Sequence, residues 1–318
     1  MSRWFVFVLM IFFTQAKAQE FPARPITVIV PFSAGSASDV IARIVLERMG
    51  ISMGRRFVVD NRPAAGGIVG TLAASKAEPD GYTLLMGASG PMVANKVLNP
   101  NVGFDPEKDF QPISLYASMP NVVTVSARLP LQSLRELIQY VRENPNTPYS
   151  SVGNGSSQHL AGVFFEQLTG AKMQHVPYRI TSQLQADLIS GQVPLSFQLL
   201  PNVIGQLKAG QARAIAVAAS KRLPALPDVP TAAEAGIKDY ESGAWFGFVG
   251  PRGIPRPAVE LLNREIIAAT ADPAVRGRFT DFGAEPLAST PEEFGRYIST
   301  ELAKYREIIT RGGIKLEQ

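Results

Sequence analysis

The sequence predicts an α/β protein built on parallel sheets, long enough for two domains. Three observations carry this. Apolar strand patterns alternate with amphipathic helix patterns along most of the chain. Three loops of tiny residues each follow a strand. The 318 residues, with 46% hydrophobic and 18% charged content, suffice for two proper cores and exclude a disordered or fibrous chain. Parallel sheets present ligands at the carboxyl ends of their strands, so the three loops are expected at such edges.

The N-terminus reads as a targeting segment. Arg3, an unbroken apolar run over residues 4–13 and Ala16-Lys17-Ala18 before Gln19 are the three parts of a secretory signal peptide. The run is too short to span a bilayer and no second one of spanning length follows. The mature protein is therefore expected to be exported and soluble, with residues 1–18 cleaved after Ala18. That cleavage removes Arg3 and Lys17 and no acid, leaving 29 basic against 27 acidic residues. So mild a balance, without a basic cluster, gives no argument for nucleic acid. Cysteine is absent, which excludes disulfides, thiol catalysis and cysteine metal sites, and leaves stability to the core.

Ile26, Val28 and Val30 alternate with Thr27 and Ile29 as a buried strand. From Asp39 onward Val40, Ile41, Ile44, Val45 and Met49 form one helical stripe. Between them, residues 31–39 read PFSAGSASD. Read alone, this junction is either a tight connector with Ser38 or Asp39 as N-cap, or an anion cradle. The second reading holds because little side-chain bulk shields the free N–H groups and partial positive charge of a helix N-terminus.

Residues 57–59 are a short strand, followed by a turn over 61–67 and a helix over 68–77 that stops at Pro79-Asp80-Gly81. Residues 82–86 form a strand running into the second small-residue loop, 87–91. Residues 113–118 and 122–125 read as two further strands. The helix at 133–142 carries Leu134, Leu137, Ile138 and Val141 on one side. Residues 149–152 form a strand, 153–158 (GNGSSQ) the third small-residue loop, and 160–168 the following helix. Strands at 174–178, 193–197 and 212–218 frame a helix capped by Thr181 or Ser182 and helix-like residues 201–208. Residues 222–236, rich in Pro and Ala, read as an extended surface connector. A strand at 245–249 precedes helices at 258–271, 273–282 and 291–310.

A search for chemistry finds little. His159 and His175 are the only histidines, and neither has a second ligand at i+3 or i+4, so no metal site is expected. No Gly-x-Ser-x-Gly elbow exists, and Ser156 and Ser157 lie too near His159 in sequence to bond it as nucleophiles. His159 reads instead as a helix-start residue donating to a ligand or a carbonyl. No phosphate-binding glycine fingerprint is complete. Several anion cradles without a catalytic set favour binding over turnover, so no cofactor and no enzymatic activity are expected.

Seven segments then carry a resemblance: RPITVIVPFSAGSASD (24–39), GGIVG (66–70), PDGYTLLMG (79–87), GSSQHLAG (155–162), HVPYR (175–179), LPDVPTAAEAG (226–236) and TPEEFGRYI (290–298). In this order they resemble the extracytoplasmic solute-binding proteins of tripartite tricarboxylate transporters, the Bug family, over essentially the whole mature chain. The resemblance implies a type II periplasmic-binding-protein fold, two α/β domains with a ligand cleft between them. Domain one would comprise residues 19–121 and 244–318, and domain two residues 122–243. It further implies a periplasmic, monomeric receptor that captures a small carboxylate, a di- or tricarboxylate or an aromatic acid, and delivers it to the membrane subunits of a tripartite transporter.

Carried over by position, one carboxylate would sit against Phe32, Ser33, Ala34, Gly35, Ser36 and Ser38, with Asp39 starting the helix. Gly87, Ala88 and Ser89 would face the same end of the cleft. Asn154, Ser156, Ser157, His159, Tyr178, Arg179 and Thr181 would come from domain two. Three departures from the family pattern stand out. Ser36 replaces a glycine and is expected to narrow backbone access. Ile180 is expected to put an apolar group near the pocket. Gln198 stands where an acid is usual, which argues for a ligand without an amine. The alternatives are an exported serine hydrolase using Ser157 and His159, or a ligand sensor serving a signalling protein.

Overall fold

The computed structural model describes residues 21–312, so the expected signal peptide lies outside the described residues. β1 (Ile26–Val30) enters α1 (Ala37–Met53), β2 (Phe57–Asn61) and, after a 3-10 turn at Ala65–Gly67, α2 (Ile68–Ser75). β3 (Thr83–Ala88) leads through one wide π-helical turn into α3 (Asn95–Leu98) and β4 (Phe110–Ser126). Then follow α4 (Leu134–Glu143), β5 (Thr147–Ser151), α5 (Ser157–Thr169), β6 (Met173–Pro177), α6 (Thr181–Ser190) and β7 (Leu195–Leu199). A 3-10 turn at Leu200–Asn202 precedes α7 (Ile204–Lys208) and β8 (Ala212–Val217). β9 (Gly243–Pro251), α8 (Arg256–Ala271), α9 (Pro273–Asp281), β10 (Glu285–Pro286) and α10 (Pro291–Gly312) complete the chain. Among the described residues no helix is long and apolar enough to cross a membrane.

The strand order β2-β1-β3-β9-β4-β7-β5-β6 divides into two lobes that share β4. In lobe one, β1 pairs in parallel with β2 and β3, while β9 inserts antiparallel between β3 and β4. In lobe two, β5 pairs in parallel with β6 and β7, and β4 runs antiparallel to β7 and β8. Residues 110–120 of β4 pair with β9, and residues 121–126 pair with β7 and β8. Each lobe has its own core. Ile41, Val45 and Met49 of α1 pack under Ile26, Val28 and Val30 in lobe one. In lobe two Leu134, Leu137 and Val141 of α4 pack with Val123, Tyr149, Phe165 and Phe197.

Several expectations are corrected. The strands expected at 113–118 and 122–125 are one 17-residue strand. Pro120 does not end it, because the ladder changes partner there: Pro120 faces Gly243 of β9, and Asn121 already faces Leu199 of β7. Gly87 and Ala88 belong to β3 rather than to a loop. Residues 222–236 do connect β8 to β9 along the surface without helix or strand, but they are anchored rather than extended. Leu223, Thr231 and Ala232 are buried, and Thr231 with Glu234 forms a reciprocal capping box that holds the segment folded. The apolar residues between the prolines therefore serve as anchors for lobe two.

Candidate functional site

The two lobes present the same turn to one another. In α1 the N-cap is Ser36, whose Oγ accepts from Asp39 N at 3.4 Å; neither Ser38 nor Asp39 is the cap. In α5 the N-cap is Ser156, whose Oγ accepts from His159 N at 3.3 Å. In both, the side chain at the third helical position reaches back across the turn. Asp39 Oδ2 accepts from Gly35 N at 2.9 Å, and His159 Nδ1 accepts from Gly155 N at 3.1 Å. Both glycines are left-handed, with φ of +75° and +72°, a conformation a side chain would strain. GSASD at 35–39 and GSSQH at 155–159 are thus one structural device made twice.

This capping leaves a short inventory of free donors. A helix has no internal acceptors for its first N–H groups, so each must find another partner or face a ligand. In α1 the Asp39 N–H is taken by Ser36, and the Ala37 N–H is taken by Asn202 Oδ1 of lobe two at 2.6 Å. The Ser38 N–H is left. In α5 His159 N–H is taken by Ser156, leaving those of Ser157 and Gln158. Ser38, Ser157 and Gln158 all line one small cavity between the lobes, together with Ala88, Ser89, Gly90 and Pro91. Phe32, Leu199, Ala244 and Phe246 form its apolar wall, and no acid lines it. Two positive helix ends face each other across an apolar gap, which suits an anionic group joined to an apolar body. Losing either cap should weaken this arrangement. Ser36→Ala is expected to lower stability by about 1 kcal/mol, read as a reduced thermal midpoint of the unliganded protein.

The remaining expected site residues have other partners. Ala34 and Gly35 are exposed on the outer side of the turn, and Gly87 lies within β3 against Met92. Ser36 does not narrow access, since its hydroxyl is turned onto its own helix. Asp39 is buried and accepts from Arg43 Nε and from Asn61 Nδ2, in addition to Gly35. Tyr178 donates to Asp187 at 2.5 Å. Ile180 is 50% exposed and points away from the cavity.

Gln198 is fully buried behind the cavity wall, bonded to Ser150 O and Asn202. His159 Nδ1 accepts from Gly155 N, which leaves Nε2 as the only nitrogen able to donate, and the ring stacks on His175 with ring centroids 4.0 Å apart. His175 Nε2 in turn lies 2.6 Å from Ser151 Oγ. Burial pushes His159 down to about 4, and burial and then the neighbouring His159 ring push His175 to about 3. With Nδ1 accepting from a backbone N–H, His159 is neutral and has no lone pair directed at Ser157; it is not placed as a base.

Others of the expected residues close the cleft. Ser33 Oγ lies 2.9 Å from Thr181 Oγ1 and accepts from Thr181 N at 3.3 Å, so a lobe-one serine caps α6. Neither Thr181 nor Ser182 caps that helix itself. Arg179 Nε donates to Pro63 O at 2.8 Å. On the other rim the backbone of Asn154 packs on Gly66, and Asn95 Nδ2 donates to Gly66 O beneath Gly155. Sequence reasoning missed Gln158, Gly90, Pro91, Leu199, Ala244 and Phe246 of the cavity lining, and Asn202, which bonds Ala37 N without lining it. Gln158 had a signal, as the residue two positions past an N-cap serine; the others come from strands and turns that only the fold brings to the cleft.

A family profile described as "Tripartite tricarboxylate transporter family receptor" matches residues 41–314. Protein BugT of Bordetella pertussis is 34% identical over 303 residues, covering 95% of this chain and 93% of its own. Among solved structures, the periplasmic binding protein BugD superposes with a TM-score of 0.89 at 33% identity, covering 93% of this chain and 100% of its own. R. palustris Rpa4515 with adipate gives 0.90 at 34% identity, covering 93% and 99%. MatC of Rhodopseudomonas palustris with bound malate gives 0.84 at 32%, covering 91% and 100%. The shared-strand, two-lobe architecture is the two-domain fold of these periplasmic binding proteins, and the chain belongs to the tripartite tricarboxylate transporter receptor family, whose members bind solutes and are not enzymes.

Proposed function

We propose that this protein is a periplasmic receptor that captures a small carboxylate without an amine between its lobes and delivers it to a tripartite tricarboxylate transporter. The observation that carries this reading is the set of unpaired helix N–H groups at Ser38, Ser157 and Gln158. They come from opposite lobes and line one cavity with an apolar wall. Charge-assisted bonds from such donors, strengthened by two helix ends, hold a carboxylate without an arginine. The absence of an acid from the lining favours a ligand without an ammonium group. Adipate in Rpa4515 and malate in MatC are both dicarboxylates, which supports the same ligand class.

Domain one comprises residues 19–121 and 244–318 and domain two residues 122–243, in keeping with the change of partners at Asn121 and the start of β9 at Gly243. Asn121 Nδ2 donates to Ser242 Oγ at 3.0 Å, tying the two crossings together. Phe32, Ser38, Ala88, Ser89 and Ser157 serve the ligand from the cavity side, while Ser36 and Ser156 cap the two helices. Ser33, Asn154, Arg179 and Thr181 serve closure, and Asp39, His159, Tyr178 and Gln198 brace the turns behind them. Closure brings the two sets together, and the closed surface is what the membrane subunits recognise.

The test is a thermal-shift screen of the mature protein against adipate, malate and benzoate, with sugars and divalent metals as controls. A ligand at about 100 times its Kd adds about 2.7 kcal/mol of stability, so a rise of roughly 5 °C or more is expected. A response to sugars or metals with none to any carboxylate overturns the reading.

A further inference from the structure

The two matching turns differ in one respect. At α5 the first helical N–H, that of Ser157, has no protein acceptor, whereas at α1 the equivalent Ala37 N–H is bonded to Asn202 Oδ1 at 2.6 Å. Asn202 is 1% exposed, as is Ala37. Its amide is held by a relay with fixed ends. Asn202 Nδ2 donates to Gln198 Oε1 at 2.7 Å, and Gln198 Nε2 donates to Ser150 O at 3.4 Å. A backbone N–H can only donate and a backbone carbonyl can only accept, so both amides have one permitted orientation. Gln185 Nε2 also donates to Asn202 O at 2.7 Å, holding the backbone of the 3-10 turn. The oxygen presented to α1 therefore belongs to a rigid, fully paired group.

We propose that Asn202 is a specificity-determining residue. Its amide oxygen stands where one oxygen of a carboxylate would sit on α1, making the α5 end the full carboxylate subsite and the α1 end a single-donor subsite. The inference rests on the carboxylate-receptor reading. At α5, the Ser157 and Gln158 N–H groups are both available to the two oxygens of one carboxylate. At α1 only the Ser38 N–H remains, with the Ser38 hydroxyl beside it. A second carboxylate placed there finds half the donors and a neutral amide oxygen already in place. A hydroxyl, a carbonyl or an apolar terminus loses little at that end. The cavity thus has a strong and a weak pole, and this chain is expected to accept monocarboxylates with apolar bodies nearly as well as dicarboxylates of the same length.

The experiment compares adipate with hexanoate, which have the same number of carbons and differ by one carboxylate, using isothermal titration calorimetry up to millimolar ligand. In the unsubstituted protein the two affinities are expected to fall within about tenfold of each other. In Asn202→Ala the freed Ala37 N–H is expected to raise the adipate-to-hexanoate ratio by about tenfold, the worth of one charged hydrogen bond. In the isosteric Asn202→Asp a built-in carboxylate at α1 is expected to lower that ratio. Any loss of interlobe closure weakens both ligands together and cancels in the ratio, so a merely structural role does not move it. A ratio unchanged in both variants overturns the assignment of Asn202 while leaving the receptor reading in place. Failure of the unsubstituted protein to bind either acid overturns the assignment of Asn202, and the receptor reading falls with it only if malate and benzoate also fail to bind.

Discussion

Alanine at Gly90 is expected to cut carboxylate affinity about 10–100-fold while leaving the thermal midpoint of the unliganded protein within a few degrees. Gly90 sits in the π-helical turn after β3 with an ordinary, negative-φ backbone, so alanine does not strain lobe one. A Cβ there would lie 2.8 Å from Gly155 O and 3.1 Å from Ser156 Cα, both backbone atoms of lobe two. The clash therefore exists only when the lobes are closed. Backbone cannot step aside as a flexible side chain does, and overpacking of this kind costs about 1–3 kcal/mol. One tenfold in affinity is about 1.4 kcal/mol, which gives the stated range. Calorimetric titration with the best carboxylate from the screen reads the loss, and small-angle scattering should report a larger radius of gyration. Unchanged affinity would mean that binding does not require the lobes to meet along this rim.

The second large effect is on pH dependence. His159 and His175 stack inside lobe two as neutral rings, with values pushed down to about 4 and about 3 by burial. An unfolded histidine takes up its proton near 6.5, so below that pH the unfolded chain binds more protons than the folded one. Stability is thus expected to be level above about pH 6.5, and to fall as the pH drops from there toward 4. Each ring contributes about 2 kcal/mol of loss between pH 6.5 and 5, since one unit is worth 1.36 kcal/mol. His159→Gln keeps an acceptor for Gly155 N and removes the titration, so it should flatten the slope of thermal midpoint against pH in that window. An equal slope in the variant would show that other groups set the acid limit. Because Gly155 and Ser156 face Gly90 across the cleft, protonation of His159 in the folded protein should weaken binding only as the pH approaches about 4.

Much of the architecture was legible because strand and helix periodicities are local. α1, α4, α5 and β1 could be read from apolar spacing alone, and the cleft-facing turns from their small residues after strands. What was not legible depends on long-range pairing. The sequence around Pro120 looks like a break, and only the hand-over from β9 to β7 explains why a proline is tolerated inside a long strand. The PFSAGSASD segment was recognisable as a helix entrance, but which of its donors stay free depends on Asn202, 165 residues away from Ala37. Gln198 suggested ligand charge through its residue type, yet it lies behind the cavity wall in a relay to Asn202. Ile180 looked like a pocket residue by its place after Tyr178 and Arg179, but the start of α6 turns it outward.

The position of β9 has a consequence for how the chain acquires its structure. Lobe two is contiguous in sequence and all of its strands are present once β8 has been made. Lobe one is not: its missing strand belongs in the middle of the sheet, between β3 and β4. Until β9 arrives, the facing edges of β3 and of the first half of β4 have no partner for their backbone groups, and such edges recruit other strands. The last quarter of the chain therefore finishes the lobe that was begun first. Emerging from its N-terminus, the protein completes the lobe it begins second before the lobe it begins first, and is most prone to mispairing just before residue 243.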